Sequence, residues 1–278
     1  MSFGPLVGAA WLVDHHRDPD VRVIDFRWYL HGRSGQAAHA AGHVPGAVFV
    51  DLAAVSGHEP GRGRHPLPAP DVIERVLRAA GVSRDTAVVI YDDAGGTVAA
   101  RLWWMLRYFG HERAAVLDGG LQAWPGPLST ETERPAPGDF TAGPPRGEMK
   151  VEYEDVRRLP AGTVLLDARA PERYRGEQEP VDPKPGHIPG AHSVPASGNL
   201  TGDLRFRAPE ELRRRYEAAG VADGADVVAY CGSGVSACHD LLALELAGLP
   251  GGRLYPGSWS EWSAQPGAPV AAGEDSHA

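Results

Sequence analysis

One cysteine in this chain stands where its sulfur could act as a nucleophile. The four residues from Val227 read as a short apolar strand, and those from Val235 onward carry leucines at helical spacing. Between them a loop opens with Cys231 and contains Gly232 and Gly234. Glycines let such a loop turn sharply, and they let a bound group approach the backbone amides.

The start of a helix favours the thiolate form of this cysteine. A loop that leads into a helix turns several N–H groups toward one point, and the helix dipole adds about half a positive charge there. The thiolate is the form of cysteine that attacks. The sequence therefore favours Cys231 as a catalytic nucleophile over the alternative of a small buried residue at a strand end.

The elements that position this loop occur twice in the chain. Landmarks of the first half recur in the second half at a separation of 138 to 144 residues. The matched pairs are Asp25 and Asp167, His43 and His187, Tyr91 and Tyr230, and Trp124 and Trp262. A period of this length indicates a duplicated domain rather than a solenoid.

Helical patterns lie between the short apolar strands of both halves. Helices are predicted at 71–80, 97–109 and 209–219, and from Val235 onward. Strands that alternate with helices predict an α/β fold, with a mostly parallel sheet flanked by helices in each domain. Ligands of such sheets bind beyond the carboxyl ends of the strands, which is where Cys231 stands.

Composition sets the predicted domain boundaries. The stretch 126–148 is dominated by Pro, Gly, Ser and Thr without periodicity, which predicts a linker. The sequence therefore predicts one domain over 1–125 and another over 149–265. The end of the chain, 266–278, is predicted to be disordered.

The two domains differ at the position of the cysteine. Asp92 or Asp93 follows Tyr91, where Cys231 follows Tyr230. A carboxylate would repel a sulfur anion, so we expect the first domain to be inactive and to supply one wall of a cleft. Asp92 itself is predicted to form a turn and to cap a helix.

Charge and composition exclude several classes of function. The net charge of -9 argues against a general nucleic-acid or anionic-membrane surface. The apolar fraction of 42% is ordinary for a globular protein, and no apolar run reaches the roughly 18 residues of a membrane span. The two cysteines predict neither a disulfide framework nor a zinc site, so a reducing cytoplasm is the default location.

Together these motifs resemble those of a known family. The repeated strand ending in Asp, the His-(Val/Ile)-Pro-Gly-Ala turn, the cysteine loop and the Gly-Ser-Trp segment are similar to the tandem-domain rhodanese superfamily. The loop Cys-Gly-Ser-Gly-Val-Ser-Ala resembles the 3-mercaptopyruvate sulfurtransferase type. Thiosulfate-preferring members carry Arg-Lys in place of Gly232 and Ser233. Ser236 stands where Thr is usual and keeps the hydroxyl.

The resemblance implies a sulfurtransferase that needs no cofactor or metal. Cys231 would take sulfur from 3-mercaptopyruvate, or from thiosulfate, as a persulfide. A thiol such as that of thioredoxin, or cyanide, would then remove it. Loop amides and the hydroxyl of the catalytic Ser233 would stabilise the persulfide anion. The loop residues expected to bind the donor are Gly232, Gly234, Val235 and Ser236.

Two basic residues beyond the loop are also expected at the donor site. Arg173, just past the strand that ends at Asp167, matches the substrate arginine of the family. Its guanidinium would bind a donor carboxylate through two N–H groups. The mercaptopyruvate type carries a second arginine after it. The corresponding stretch here is shorter and offers only Lys184.

His65 matches a first-domain histidine that faces the active site in the mercaptopyruvate type. It would form part of the donor site and could donate a proton. Some relatives have an aspartate two residues past Asp51, where this chain has Ala53. A Ser-His-Asp relay would therefore need Asp51 or Glu59 as its carboxylate.

Other conspicuous residues are expected to be structural. His43 and His187 occur in both halves, so they are predicted to fix turns through hydrogen bonds. Arg169 is predicted to be structural because Arg27 occupies the equivalent place in the inactive half. Cys238 is predicted to lie buried on the helix.

The sequence disfavours two alternatives to a sulfurtransferase. A cysteine phosphatase or arsenate reductase needs an arginine six residues after the cysteine, and that position is Ala237. A non-catalytic sulfur-binding or sensing module would not need a helix-end thiol with a cationic neighbour such as Arg173. Among sulfurtransferases, a thiosulfate:cyanide enzyme is the alternative to a mercaptopyruvate enzyme.

Overall fold

The computed structural model describes residues 3–274 of the 278-residue chain. Within them the chain forms two compact units. Unit 1 comprises the residues up to Gly57, Leu67–Arg146 and Gly202–Phe206, and unit 2 comprises His58–Pro66, Gly147–Thr201 and the residues from Arg207 onward. Each unit therefore includes a short segment from the other half of the chain. The boundaries predicted from composition remain a prediction.

Unit 1 is built on a five-stranded parallel sheet with the order β1-β5-β4-β2-β3. Its strands are β1 (Leu6–Val7), β2 (Val21–Asp25), β3 (Val48–Phe49), β4 (Ala87–Tyr91) and β5 (Ala114–Leu117). Its helices are α1 (Ala9–His15), α2 (Gly35–Ala41), α3 (Pro70–Ala79) and α4 (Ala99–Tyr108).

Unit 2 repeats this plan with a four-stranded parallel sheet of order β7-β6-β8-β9. Its strands are β6 (Val164–Asp167), β7 (Ala191–Ser193), β8 (Val227–Tyr230) and β9 (Arg253–Leu254). Its helices are α5 (Tyr153–Val156), α6 (Pro171–Tyr174), α7 (Pro209–Ala218), α8 (Ala237–Leu246) and α9 (Ser258–Trp262).

The strands are apolar because both faces of each sheet are buried. Every residue of β4, β5, β6 and β8 is buried. Parallel sheets that are covered on both faces require such continuous apolar strands, which is why the sequence predicts them. The predicted parallel α/β architecture is confirmed.

The predicted helices form, with ends that differ from the prediction by at most two residues. The helices α3 and α7 both have proline at their first position and are followed by a glycine with positive φ, Gly81 at 75° and Gly220 at 89°. Proline suits the first turn, and glycine suits the left-handed conformation after a helix. Among the described helices, none is long and apolar enough to cross a membrane.

The last described residues pack on unit 2. His187 and Ala271 exchange two backbone hydrogen bonds of 2.8 and 3.0 Å, and the indole N–H of Trp262 donates to the carbonyl of Pro269 at 2.8 Å. Ala268 is buried. The prediction of disorder is therefore wrong for 266–274, because backbone and indole groups of unit 2 bind this segment. Residues 275–278 lie outside the described residues.

Candidate active site

The loop between β8 and α8 presents Cys231 immediately after the strand. Gly234 lies at its centre with φ of 74°, and a Cβ there would stand 2.6 Å from the carbonyl oxygen of Pro256. Only glycine avoids both the left-handed strain and this collision. Ser236 ends the loop, and α8 begins at Ala237, two residues later than expected.

Backbone contacts with the start of α9 hold the Cys231 loop in place. The amide of Trp259 donates to the carbonyl of Cys231 at 3.0 Å, and the amide of Ser260 donates to that of Gly232 at 2.9 Å. The amide of Cys231 donates to Ser258 Oγ at 3.1 Å. Ser258 is buried and adopts a φ of 53°, a conformation that is strained for a residue with a side chain. Strain of this kind persists where surrounding contacts fix it.

The equivalent loop of unit 1 shows what such a backbone can bind. Asp92 follows β4 as Cys231 follows β8, and its carboxylate accepts four loop amides. The donors are Ala94 and Gly96 at 2.8 Å, Val98 at 2.7 Å and Ala99 at 2.9 Å. The predicted turn and capping role of Asp92 is confirmed. An anion at this position is therefore held by converging amides in unit 1.

His65 lies beside the loop, as the sequence predicts. Its Nδ1 is 3.0 Å from Ser233 Oγ. Residues 58–66 belong to unit 2, so this contact lies within one compact unit. Of the two candidate relay carboxylates, Glu59 is 75% exposed and faces Arg62 at 3.6 Å, and Asp51 accepts the amide of Ala53 at 2.8 Å. A carboxylate relay through either residue remains a prediction.

Arg173 lies next to the loop, and two carboxylates already bind its guanidinium. Its Nη2 is 2.7 Å from Glu179 Oε1 and 2.9 Å from Asp182 Oδ2. A Cβ on Gly232 would lie 3.3 Å from Arg173 Nη1. The role of Arg173 as a donor-binding fork remains a prediction, and Nη1 is the part of the guanidinium nearest the loop.

Arg64 is the neighbour of the loop that sequence reasoning missed. A Cβ on Gly232 would lie only 2.8 Å from Arg64 Nη2. Arg64 also pairs through Nη1 with Asp182, and its amide donates to Ser260 Oγ at 3.1 Å. The available signal was its position, because it directly precedes His65. Burial raises the pKa of Asp182, the nearby Glu179 adds to that rise, and the two arginines oppose it.

The remaining predicted site residues are placed as follows. Lys184 Nζ lies 3.4 Å from the carbonyl of Gln265, so a place for it at the donor site stays a prediction. Val235 and Ser233 are buried. Cys238 is buried on α8, and its Sγ lies 3.3 Å from the carbonyl of Gly234. Neither cysteine forms a disulfide within residues 3–274.

The residues expected to be structural bind their own unit in the same way in both repeats. Arg27 donates through Nη2 to Asp25 at 2.6 Å, and Arg169 donates through Nη2 to Asp167 at 2.6 Å. Each of these arginines also donates to the carbonyl of the glycine that precedes the repeated His-(Val/Ile)-Pro-Gly-Ala turn. His187 contacts the carbonyl of Tyr174 at 2.8 Å through Nδ1, and burial lowers its pKa. His43 contacts the carbonyl of His39 at 2.8 Å through Nδ1. These structural predictions are confirmed.

Comparison with known proteins agrees with this geometry. The rhodanese-like domain family matches residues 8–126 and 152–265. The chain belongs to the rhodanese family. A Pseudomonas aeruginosa protein named a probable 3-mercaptopyruvate sulfurtransferase is 43% identical over 99% of this chain and 100% of its own length. A Mycobacterium tuberculosis protein provisionally named a thiosulfate sulfurtransferase, SseB, is 42% identical over 92% of both chains.

A solved rhodanese has the same fold. The crystal structure of SseA from Escherichia coli, described as a 3-mercaptopyruvate sulfotransferase, matches with a TM-score of 0.82 at 34% identity. The match covers 92% of this chain and 99% of that one. The present chain is therefore a tandem-domain sulfurtransferase, as the sequence predicts, and its substrates include a small sulfur donor.

Proposed function

We propose that Cys231 takes sulfur from 3-mercaptopyruvate as a persulfide and passes it to a thiol acceptor. The observation that carries this proposal is the pairing of His65 with Ser233, two residues after Cys231, at 3.0 Å. The names of the P. aeruginosa and E. coli relatives point to the same donor. The four amides that bind Asp92 in unit 1 support a matching role for the Cys231 loop toward a sulfur anion.

The first step exchanges one bond to sulfur for another. The Cys231 thiolate attacks the sulfur of the donor, an S–S bond forms, and the C–S bond breaks with its electron pair moving to carbon 3. The resulting pyruvate enolate takes up a proton on that carbon. Overall, the proton lost by the Cys231 thiol ends on pyruvate, and the donor's sulfur and its hydrogen remain on Cys231 as the persulfide.

The His65–Ser233 pair suits the proton transfer that this donor requires. Ser233 Oγ is within hydrogen-bond reach of an imidazole that changes charge near neutral pH. In our proposal His65 supplies the proton through Ser233 to the leaving enolate. Thiosulfate would need no such proton, because its leaving group is sulfite.

Thiosulfate is the second candidate donor, because the M. tuberculosis relative is named a thiosulfate sulfurtransferase. The two donors can be separated by measuring kcat/KM for each with cyanide as the acceptor. We expect the ratio to favour 3-mercaptopyruvate, and Ser233→Ala to lower kcat for that donor but not for thiosulfate. A ratio that favours thiosulfate, with Ser233→Ala without effect, would assign the enzyme to the second candidate.

The nucleophile is tested by a matched pair of cysteine variants. Cys231→Ser should abolish transfer from both donors and should prevent the gain of one sulfur atom detected by mass spectrometry after incubation with donor. Cys238→Ser is the control and should keep the sulfur gain. Transfer retained by Cys231→Ser would disprove the proposed nucleophile.

We further propose a cytoplasmic dithiol such as thioredoxin as the acceptor. The test is whether reduced thioredoxin stimulates turnover.

A further inference from the structure

One residue beside Cys231 adopts a backbone conformation that is strained. Ser258 has a φ of 53°, and Leu204 is the only other non-glycine residue with a positive φ in the part of the chain that the structure describes. Such a conformation is unfavourable for any residue with a Cβ, and it persists where surrounding contacts hold it. Ser258 is fully buried. The reason for a serine here therefore lies in what its side chain binds.

The duplication supplies a comparison for this position within the same chain. Trp124 and Trp262 are equivalent, and counting back four residues from each pairs Gly120 of unit 1 with Ser258 of unit 2. Gly120 has nearly the same φ, 59°. Glycine adopts this conformation without strain. The same turn is therefore made at no conformational cost in unit 1 and at a cost in unit 2.

The residue after this position makes the same contact in both units. The amide of Leu121 donates to the carbonyl of Asp92 at 2.8 Å, and the amide of Trp259 donates to the carbonyl of Cys231 at 3.0 Å. A Cβ on Gly120 would stand 2.5 Å from the carbonyl oxygen of Asp92, so the turn of unit 1 has no room for a side chain. The turn of unit 2 accommodates the serine.

The hydroxyl of Ser258 links the backbone of Cys231 to the turn before α9. Its Oγ accepts the amide of Cys231 at 3.1 Å and donates to the carbonyl of Tyr255 at 2.9 Å. A glycine, as in unit 1, can make neither of these hydrogen bonds. The strained serine therefore adds a direct constraint on the residue that carries the nucleophile.

A cysteine needs this constraint more than the aspartate of unit 1 does. The carboxylate of Asp92 is held by four amides at 2.7 to 2.9 Å. Sulfur is a weaker hydrogen-bond acceptor than a carboxylate oxygen, so the same amides hold a cysteine side chain less firmly. In the proposed reaction the side chain also changes between thiolate and persulfide. A constraint on the backbone of Cys231 acts in both states.

We propose that Ser258 is a positioning residue for Cys231, whose hydroxyl fixes the Cys231 amide and thereby aims Sγ at the amides of the loop. This inference rests on the proposed function and adds one residue to its machinery. Backbone strain occurs in the unit with the cysteine and is absent from the matching position of the other unit, as expected where strain serves a function.

Two substitutions of Ser258 separate the hydroxyl from the strain. Ser258→Gly removes both, and Gly120 shows that glycine fits this turn. Ser258→Ala removes the hydroxyl and keeps the strain. Both should lower kcat for 3-mercaptopyruvate about tenfold or more, with KM within about twofold of the wild type, because the reacting sulfur is misdirected. A wild-type kcat in either variant would overturn the inference.

Melting temperatures show whether the loss of activity is only a loss of stability. Because Ser258→Gly relieves the left-handed strain, we expect it to unfold at a higher temperature than Ser258→Ala. The two variants should nevertheless have a similar kcat. A kcat that follows Tm, with the glycine variant much more active than the alanine variant, would mean that Ser258 contributes to stability alone.

Ser263→Ala is the matched control at the other end of α9. Ser263 is also buried, and its Oγ has no hydrogen-bond partner within residues 3–274. Loss of this hydroxyl should leave kcat within about twofold of the wild type. A tenfold loss here as well would show that any buried change near α9 disturbs the site, and the specific role of Ser258 would be refuted.

A measurement that needs no sulfur donor separates this inference from the proposed function. At pH 7, iodoacetamide should alkylate Cys231 about fivefold more slowly in both Ser258 variants than in the wild type, as followed by mass spectrometry of the Cys231 peptide. Slower alkylation, together with no turnover of 3-mercaptopyruvate by the wild type, would refute the proposed function alone. Alkylation of the variants at the wild-type rate would refute the role of Ser258 and leave the proposed function intact.

Discussion

Asp92 and Cys231 show at the scale of single residues how one side chain sets the chemistry of a repeated loop. Each follows the tyrosine that ends its strand, β4 or β8. Burial raises the pKa of Asp92, and the four amides that it accepts oppose that rise. A carboxylate there is a fixed occupant, whereas a thiolate in the same place can form a bond to a second sulfur. The repeat therefore keeps the fold in both units, and we propose that only the Cys231 loop of unit 2 carries out sulfur transfer.

Asp240 on α8 is predicted to make the stability of the protein depend on pH. Its carboxyl is fully buried, and burial raises its pKa to about 7. Oδ1 accepts hydrogen bonds from the side-chain amide of Asn199 at 2.7 Å and from the hydroxyl of Tyr216 at 3.3 Å. Oδ2 has no hydrogen-bond partner among the described residues. The folded protein therefore holds this proton more tightly than the unfolded chain, whose pKa is near 3.8.

The sign follows from proton linkage. Between about pH 4 and pH 7 the folded state keeps a proton on Asp240 that the unfolded state has lost, so stability falls as pH rises, by up to about 1.4 kcal/mol per pH unit. Asp240→Asn removes this loss. We expect its advantage in Tm over the wild type to be larger at pH 8 than at pH 5. The exposed Asp223→Asn is the control, and a pH-independent difference for Asp240→Asn would contradict the prediction.

Individual residues of the site were predictable where they lie near Cys231 in a recognisable motif. Cys231 and Ser233 follow a buried strand, and Arg173 lies just past another strand end, so local patterns locate all three. Arg64 and Asp182 could not be found in this way. They come together through a contact between residues 118 positions apart in the chain, which no periodicity or propensity encodes.

At the scale of elements, the segment His58–Pro66 is fixed to unit 2 by backbone fit and charge. A Cβ on Gly63, whose φ is 85°, would stand 2.6 Å from the carbonyl oxygen of Gly257. Arg62 lies 3.5 Å from the buried Glu261. This close approach places Arg64 and His65 beside the Cys231 loop.

Gly63→Ala should therefore impair catalysis. The added methyl group collides with the backbone at Gly257 and forces the segment to shift, and misplacement by about 1 Å can cost up to about a hundredfold in rate. We expect kcat/KM for 3-mercaptopyruvate to fall about tenfold or more. Gly61→Ala is the matched control, because Gly61 has a similar φ of 81° with no atom within 4 Å of its Cβ position. Equal effects of the two variants would show that backbone strain alone is responsible.

The regular elements were far more predictable than this segment. The helices α3 and α7 carry proline at the start and glycine after the end, and the central strands β4, β5 and β8 are continuous apolar runs. Those signals are local. The segment 58–66 has no periodicity, and its position depends on contacts with residues near 260 that only the folded chain brings together.

At the scale of the whole molecule, the two units exchange short segments. Residues 58–66 lie between two segments of unit 1 in the sequence but belong to unit 2. In the same way, Gly202–Phe206 lie between two segments of unit 2 but belong to unit 1. In unit 1 the amide of Phe206 donates to Asp118 Oδ1 at 2.9 Å. A division of the chain at its linker therefore does not yield two complete units.

Separate expression of the second half tests this consequence. A fragment of residues 147–278 retains Cys231, Ser233 and Arg173 but lacks Arg64 and His65. Because the loss of a positioned proton donor alone typically costs about a hundredfold or more, we expect kcat/KM for 3-mercaptopyruvate to fall by at least that factor. Co-expression with residues 1–146 supplies the missing segment and should restore most of the activity. Full activity of the 147–278 fragment alone would show that catalysis needs neither Arg64 nor His65.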